Sequence, residues 1–382
     1  MRPIERIERV PLEHAVARVA AADVTSTIDV PPFARAAMDG YAVIAADTTG
    51  ATTGTPRTLR IIDRIYTGEL PRATVAPGTC AEIATGAPLP AGADAVVMVE
   101  QTAKGDGDAV QILAAATAGQ HIGRKAADIA AGDLVVRAGD VLSPSRVGAL
   151  AAVGGRDVAV YAKPRVAILS TGNEVVEPGQ PLGAGQIYDV NRFTLAAIVK
   201  THGGVTEPHR AAGDTLDALT GALDACAGAN VIVFSGGSSV GERDLIVDLI
   251  GARGEIVFHG VAIRPGKPTA FAVVGGTPFF GMPGNPTSCL SNAYVLLVPF
   301  LRQVARLPPH HPQTVRVPLG RPIASAAGRH QFYTVRLSDG AALPAFKGSG
   351  DITSLSQADG YIEIPEDQGT VAQGTLVDVT LF

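Results

Sequence analysis

The sequence predicts a multidomain α/β protein: a central three-layer domain on a mostly parallel sheet, a β-rich inserted domain, and a small C-terminal β domain. Three observations carry this. From Lys163 to about Arg306, apolar strand-like runs alternate with Gly-rich or Pro-rich loops and helical spacing, the pattern of a parallel sheet covered on both faces. Residues 45–127 instead show short alternating runs ("TLRIIDRI", "AVVMVE", "AVQILAAA") between Gly and Pro turns. From about Pro312, "YTVRLSDG", "YIEIPEDQG" and "LVDVTLF" return to strands and turns. A length of 382 residues fits several cores better than one.

In chain order, "PLEHAVARVAAADV" has helical spacing, and Pro31 and Pro32 end it. "AGDLVVRAGDVLSPSRVGALAAVG" reads as a turn, a strand and a helix starting near Ser143 or Ser145. The expected domains are 1–44 with 128–162, then 45–127, 163–309 and 310–382. Within 163–309, "RVAILSTGNE", "NVIVFSGGSSVGERD", "EIVFHGVAIRPGKP" and "PFFGMPGNPTSC" each join a strand to a loop, with helices expected over "NRFTLAAIVKTHG" and "LIVDLIGARG". Ligands of such sheets sit at the carboxyl ends of the strands, where several of these loops should fall.

Composition excludes several classes. Apolar residues are 46% and charged residues 18%, which is globular material. A net charge of -5 with no Lys/Arg cluster argues against a nucleic-acid partner. Cys80, Cys226 and Cys289 are scattered without CxxC spacing, giving neither a disulfide framework nor a zinc site and fitting a reducing cytoplasm. Acids interrupt the N-terminal apolar run, and eighteen uninterrupted apolar residues occur nowhere, so neither export nor membrane spanning is expected. The eight histidines lack metal-ligand spacing.

The chemistry therefore rests on loops. In "SGGSSVGERD", Gly236, Gly237 and Gly241 allow close backbone approach, Ser235, Ser238 and Ser239 offer hydroxyls, and the next helix presents free amides: an anion seat. Asp244 opens that helix and reads equally as an ordinary first-turn acid. "LSTGNE" repeats the design with Ser170, Thr171, Gly172 and Glu174. Glu174 and Asp244, from two strand ends, could hold magnesium beside phosphate oxygens or could be solvated loop acids; Asp189 is a third candidate. Arg264 and Lys267 flank a Pro-Gly turn and suit a small tetrahedral oxyanion, or are surface charge. A phosphate loop is excluded, because Pro268 follows Lys267 and Val261 occupies the required Gly position. In "GMPGNPTS", Asn285 caps a helix with Pro286 at its first position, and the amides of Thr287 and Ser288 could face a ligand. No Ser-His-Asp order or activated cysteine emerges, which leaves anion handling around a metal by positioning and charge neutralisation.

Taken together, "PPFARAAMDGYAV", "IATGAPLPAGADAVVMVE", "STGNEVVEPGQPLGAGQIYDVNR", "SGGSSVGERD", "RPGKP", "GMPGNPTS" and "GSGDITSLSQADGYIEIP" resemble the molybdopterin molybdenumtransferase family (MoeA-type proteins and gephyrin E domains), in that family's order over nearly the whole chain. The resemblance implies insertion of molybdenum from molybdate into adenylyl-molybdopterin with release of AMP, assisted by Mg(2+). It also implies a cytoplasmic homodimer with a shared active site, whose discontinuous N-terminal domain dimerises. Further partners implied are molybdopterin adenylyltransferase and apo-molybdoenzymes. Carried over by motif, Glu174 and Asp244 work around metal and nucleotide, and Asp39 and Thr85 come from the partner subunit. Arg264, Lys267 and Ser349 surround molybdate. Thr171, Gly172, Asp189, Ser235, Gly236, Gly237, Ser239, Pro283, Gly284 and Asn285 belong to the substrate-binding loops.

The chain departs from the family pattern at Ala34-Arg35-Ala36, Ala126-Ala127, Asn230 (commonly Asp) and Thr334 (commonly an Arg that helps hold molybdate). Arg336 is displaced from Thr334 by roughly 7 Å along a strand. Two readings follow: an active insertase, or a diverged paralogue that binds molybdopterin or molybdate as carrier or scaffold with little turnover.

Overall fold

The computed structural model describes residues 2–209, 215–236, 245–325 and 328–382. The chain forms two compact units, one of Met1–Glu8, Ala17–Val19 and Val160–Phe382, the other of Arg9–Val16 and Ala20–Ala159.

The unit containing Val160–Phe382 is built on the expected α/β sheet. Its six strands lie in the order Val205–Pro208, Arg165–Ser170, Val231–Ser235, Thr277–Met282, Ala270–Val274, Gly254–His259. The first four are mutually parallel, and the last two pairings are antiparallel. Successive strand residues face opposite sides. Val166, Ile168, Val231, Val233 and Phe280 therefore pack with Leu195, Ile198 and Leu301 on one side. On the other, Ala167, Leu169, Ile232, Phe234 and Phe279 pack with Leu219, Leu223, Leu249 and Ile250. Each fully buried Leu or Ile contributes roughly 1.5–3 kcal/mol, so both helix layers are held mainly by apolar burial.

Register places the strand ends level: Ser170 pairs with Ser235, and Ser235 with Met282. The helix Pro286–Asn292 runs through a π-helical turn, Ala293–Leu297, into Val298–Val304. Pro299 has no amide to donate to the Val295 carbonyl, which removes a regular helical bond there. A second sheet orders Ile263–Arg264, His330–Ser338, Gly360–Ile364, Leu376–Leu381 and Thr314–Pro318, with Ala341–Pro344 beside His330–Ser338. Val335, Ile362, Ile364 and Val379 form its core.

The unit containing Ala20–Ala159 holds a six-stranded sheet in the order Ala95–Met98, Gly40–Val43, Thr79–Ile83, Arg57–Ile65, Ala109–Ile112, Thr102–Lys104. Gly40 sits where a Cβ would meet the Val97 carbonyl oxygen at 1.9 Å, so only glycine lets the strand after Asp39 enter the sheet. Ser143 caps the helix Pro144–Ala152 by accepting the Arg146 amide at 3.3 Å, as the spacing predicts.

The N-terminal helix is not formed. Only a 3-10 turn, Leu12–His14, occurs there, and Ala17 has φ 61°, which a right-handed helix does not admit. Buried Ala15, Val19 and Ala20 mimic helical spacing while belonging to turns and extended chain.

His202, at the end of the helix Asn191–Thr201, is 5% exposed, and its ring meets that of His310 edge-on at 5.1 Å. Burial, then nearby His310 and Arg302, push its pKa down to about 4. A neutral imidazole is therefore favoured in the fold, and its contribution is intact above the unfolded value near 6.5. As pH falls from 6.5 toward 4 the unfolded chain takes up a proton that the folded chain refuses. The melting temperature is expected to fall across that window, and less steeply in His202→Gln; equal slopes would contradict this.

Candidate functional site

The level strand ends open onto a cleft of about 1210 Å³ in the Val160–Phe382 unit. Of the residues named from sequence, Thr171, Glu174, Asp189, Ser235, Gly236, Arg264, Lys267, Pro283, Gly284, Asn285 and Ser349 line it. Gly172 adjoins them: at φ +136°, a Cβ there would meet Glu174 Oε2 at 2.6 Å, so the carboxylate folds over it. Gly237, Ser239 and Asp244 lie outside the described residues. Asp39 and Thr85 belong to the other unit, where the Thr85 amide and hydroxyl both donate to Asp39 Oδ1, at 2.6 and 2.8 Å. These bonds, the backbone one foremost, hold the Asp39 carboxyl below the usual carboxylate range.

Three loops are tied at their bases. The Thr171 amide donates to the Ser235 carbonyl at 3.0 Å. Gly236 has φ +123°, and a Cβ would meet the Thr171 carbonyl oxygen at 2.5 Å, so the first two loops touch backbone to side-chain-free backbone. Asn191 Nδ2 donates to Ser235 Oγ and to the Gly284 carbonyl, each at 2.7 Å, adding the third loop. Beside these ties, Ser170 Oγ, Thr171 Oγ1 and Asn191 Oδ1 are buried with no hydrogen-bond partner among the described residues. Each orphan costs about 1–3 kcal/mol unless a ligand pairs it.

Asn285 departs from its expected role. It stands at the cap position, but its side chain makes no cap bond; Nδ2 donates to Ser349 Oγ at 3.1 Å instead. The Thr287 amide is likewise taken, by the Ser349 carbonyl at 3.0 Å, so it does not face a ligand. The GSGD turn thus docks on the helix start and brings Ser349 to the rim.

Among the described residues, four cations, Arg264, Lys267, Arg329 and Lys347, line the cleft against two acids, Glu174 and Asp189. Asp189 is 6% exposed and already engaged: it accepts the Arg192 amide at 3.0 Å and pairs with Arg192 Nε at 3.5 Å. Among the described residues, Arg264, Lys267, Arg329 and Glu174 have no ion pair. Among the described residues, the cleft is a cationic seat with one available carboxylate, Glu174. Cys289 lies beneath Ser235, its thiol pushed up to about 12 chiefly by burial, so it is no nucleophile. No cluster of three metal-ligating side chains occurs among the described residues.

Two departures gain a physical reading. Asn230 opens the strand at its far end, where Oδ1 accepts the Arg165 amide at 2.8 Å. It is roughly 16 Å along the strand from Ser235, so the carboxylate missing there does not deplete the cleft. Thr334 is 1% exposed, its Oγ1 has no partner, and it gives the cleft no charge; Arg336 is exposed and does not line it. Arg329 and Lys347 supply cations instead. They and Asn191 were not singled out from sequence: each owes its place to tertiary register, with no local spacing to mark it.

Among the described residues no helix is long and apolar enough to cross a membrane. Family models match along the chain: "MoeA N-terminal region (domain I and II)" over residues 1–154, "Probable molybdopterin binding domain" over 167–303, and "MoeA C-terminal region (domain IV)" over 316–382. Molybdopterin molybdenumtransferase 2 of Mycobacterium tuberculosis is 39% identical over 97% of this chain and 94% of its own length. Molybdopterin molybdenumtransferase of Haemophilus influenzae is 31% identical over 97% and 93%. The crystal structure of a molybdopterin biosynthesis MoeA protein from Pyrococcus horikoshii superposes with TM-score 0.84 at 40% identity, covering 99% of this chain and 95% of that one. A second from the same organism gives 0.81 at 30% identity, covering 100% and 96%. The chain belongs to the molybdopterin molybdenumtransferase (MoeA) family.

Proposed function

We propose that this chain inserts molybdenum from molybdate into adenylyl-molybdopterin and releases AMP, completing the molybdenum cofactor. The observation that carries the reading is the convergence of the strand-end loops on one cleft, with cations that have no ion pair among the described residues. The orphan Asn191 Oδ1 accepts from a donor group of the pterin nucleotide. Arg264, Lys267 and Ser349 hold the oxyanion, with Arg329 and Lys347 adding charge toward the phosphates. Rate enhancement then comes from fixing the two substrates side by side and from cations placed where negative charge grows.

Magnesium fits this donor set, since Glu174 and the unpaired hydroxyls of Ser170 and Thr171 are hard oxygen donors. Glu174 would hold it together with Asp244, and the ion would offset phosphate charge. In the same proposal the protein is a cytoplasmic homodimer, with Asp39 and Thr85 of a second copy completing the site. The four-part division 1–44 with 128–162, 45–127, 163–309 and 310–382, and transient contact with the adenylyltransferase and apo-molybdoenzymes, belong to it too. The carrier reading loses its main support, because four cations line the cleft despite Thr334.

Purified protein given adenylyl-molybdopterin, molybdate and magnesium is expected to release AMP and to activate an apo-molybdoenzyme. Tight binding without AMP would favour the carrier instead. Gly236→Ala is expected to weaken AMP binding by about tenfold or more, because its methyl must displace the Thr171 carbonyl. Calorimetric titration reads this, and an unchanged affinity would place the ligand elsewhere.

A further inference from the structure

Arg264 and Lys267 are exposed to the cleft, while Pro265, Gly266 and Thr269 beneath them are buried. The two arms of this turn are held by backbone: Arg264 pairs in register with Gln331, and the Lys267 carbonyl accepts the amides of Val261 and Thr269, each at 2.9 Å. Gly266 between them, at φ +105°, is held differently. Its carbonyl accepts Asn292 Nδ2 at 2.8 Å and Thr269 Oγ1 at 2.9 Å, and Nδ2 also donates to Thr269 Oγ1. A Cβ on Gly266 would meet Asn292 Nδ2 at 2.3 Å, so the carboxamide lies directly against its α-carbon.

Asn292 is 0% exposed, does not line the cleft, and ends the helical segment just before the π-helical turn. Its Oδ1 is buried with no partner among the described residues, so burying this amide costs free energy that an apolar side chain would not incur. The groups that offset this cost are the Gly266 carbonyl and the Thr269 hydroxyl.

We propose that Asn292 is a positioning residue for oxyanion binding: with Thr269, it fixes the Gly266 peptide from below, and so sets the spacing at which Arg264 and Lys267 meet a tetrahedral oxyanion. The inference rests on the proposed use of molybdate, and goes beyond it by naming a residue that acts without touching substrate.

The test uses the full chain, with molybdate and AMP as separate calorimetric probes, on wild type, Asn292→Leu and Thr269→Val, both close in volume to the native side chains. Asn292→Leu is expected to weaken molybdate by about tenfold, and Thr269→Val by about threefold, with AMP affinity changed by less than about twofold in either. A merely structural role would lower both affinities together, and that result, or an unchanged molybdate affinity in both variants, overturns the proposal. If Asn292→Leu fails to fold, Thr269→Val decides alone. A wild-type chain that binds no tetrahedral oxyanion overturns it as well. One that binds molybdate with this mutant pattern yet releases no AMP refutes the insertase reading and leaves the positioning role standing.

Discussion

Glu174→Gln is expected to lower the turnover of AMP release by about 10²–10³-fold while leaving the fold intact. The change keeps shape and hydrogen-bonding capacity and removes one negative charge. Asp189 cannot substitute, since Arg192 already engages its carboxylate. The sign of the binding effect separates this role from simple substrate contact. Without magnesium, a carboxylate facing a phosphate repels it, so Glu174→Gln should bind AMP more tightly than wild type in chelator and lose that advantage when magnesium is added. Unchanged turnover, or equal weakening of AMP with and without magnesium, would remove Glu174 from this role.

Lys267→Ala is expected to lower kcat/KM for molybdate by about 10- to 150-fold, the range of one hydrogen bond to a charged group. Because Lys267 has no ion pair among the described residues, its removal should not destabilise the chain, and the melting temperature should stay close to that of wild type. Steady-state AMP release over a molybdate series reads the effect. A loss confined to KM for the pterin nucleotide, with molybdate dependence unchanged, would move Lys267 to the other end of the cleft.

Much of this architecture is legible before any coordinates. The α/β segment announces itself because strands buried on both faces read as unbroken apolar runs, and each ends in small residues that permit close approach: Ser170-Thr171-Gly172, Ser235-Gly236, Pro283-Gly284. Parallel order then forces those ends onto one rim, which is why the loops converge. What escapes the sequence depends on register or on isolated backbone angles. Ala17 at φ 61° turns an apparent helix into a turn, and no side chain at that position signals it. Asn285 looks like a cap because a cap needs only local chemistry, yet its amide is drawn to Ser349, 64 residues away. Lys347 and Arg329 carry no motif; they reach the cleft because the second sheet pairs with the Ile263–Arg264 strand. Asn230 shows the converse, a residue close in sequence to the serine-glycine loop and a strand length away in space.

In the proposed reaction the oxyanion has one seat, among Arg264, Lys267 and Ser349, beside the strand-end loops. Crystals soaked in molybdate and measured at the molybdenum absorption edge test this most directly. The anomalous map is expected to show molybdenum inside the cleft, within hydrogen-bond reach of the two cations and the Ser349 hydroxyl. A fully occupied molybdenum site elsewhere on the molecule, with nothing in the cleft, would contradict it.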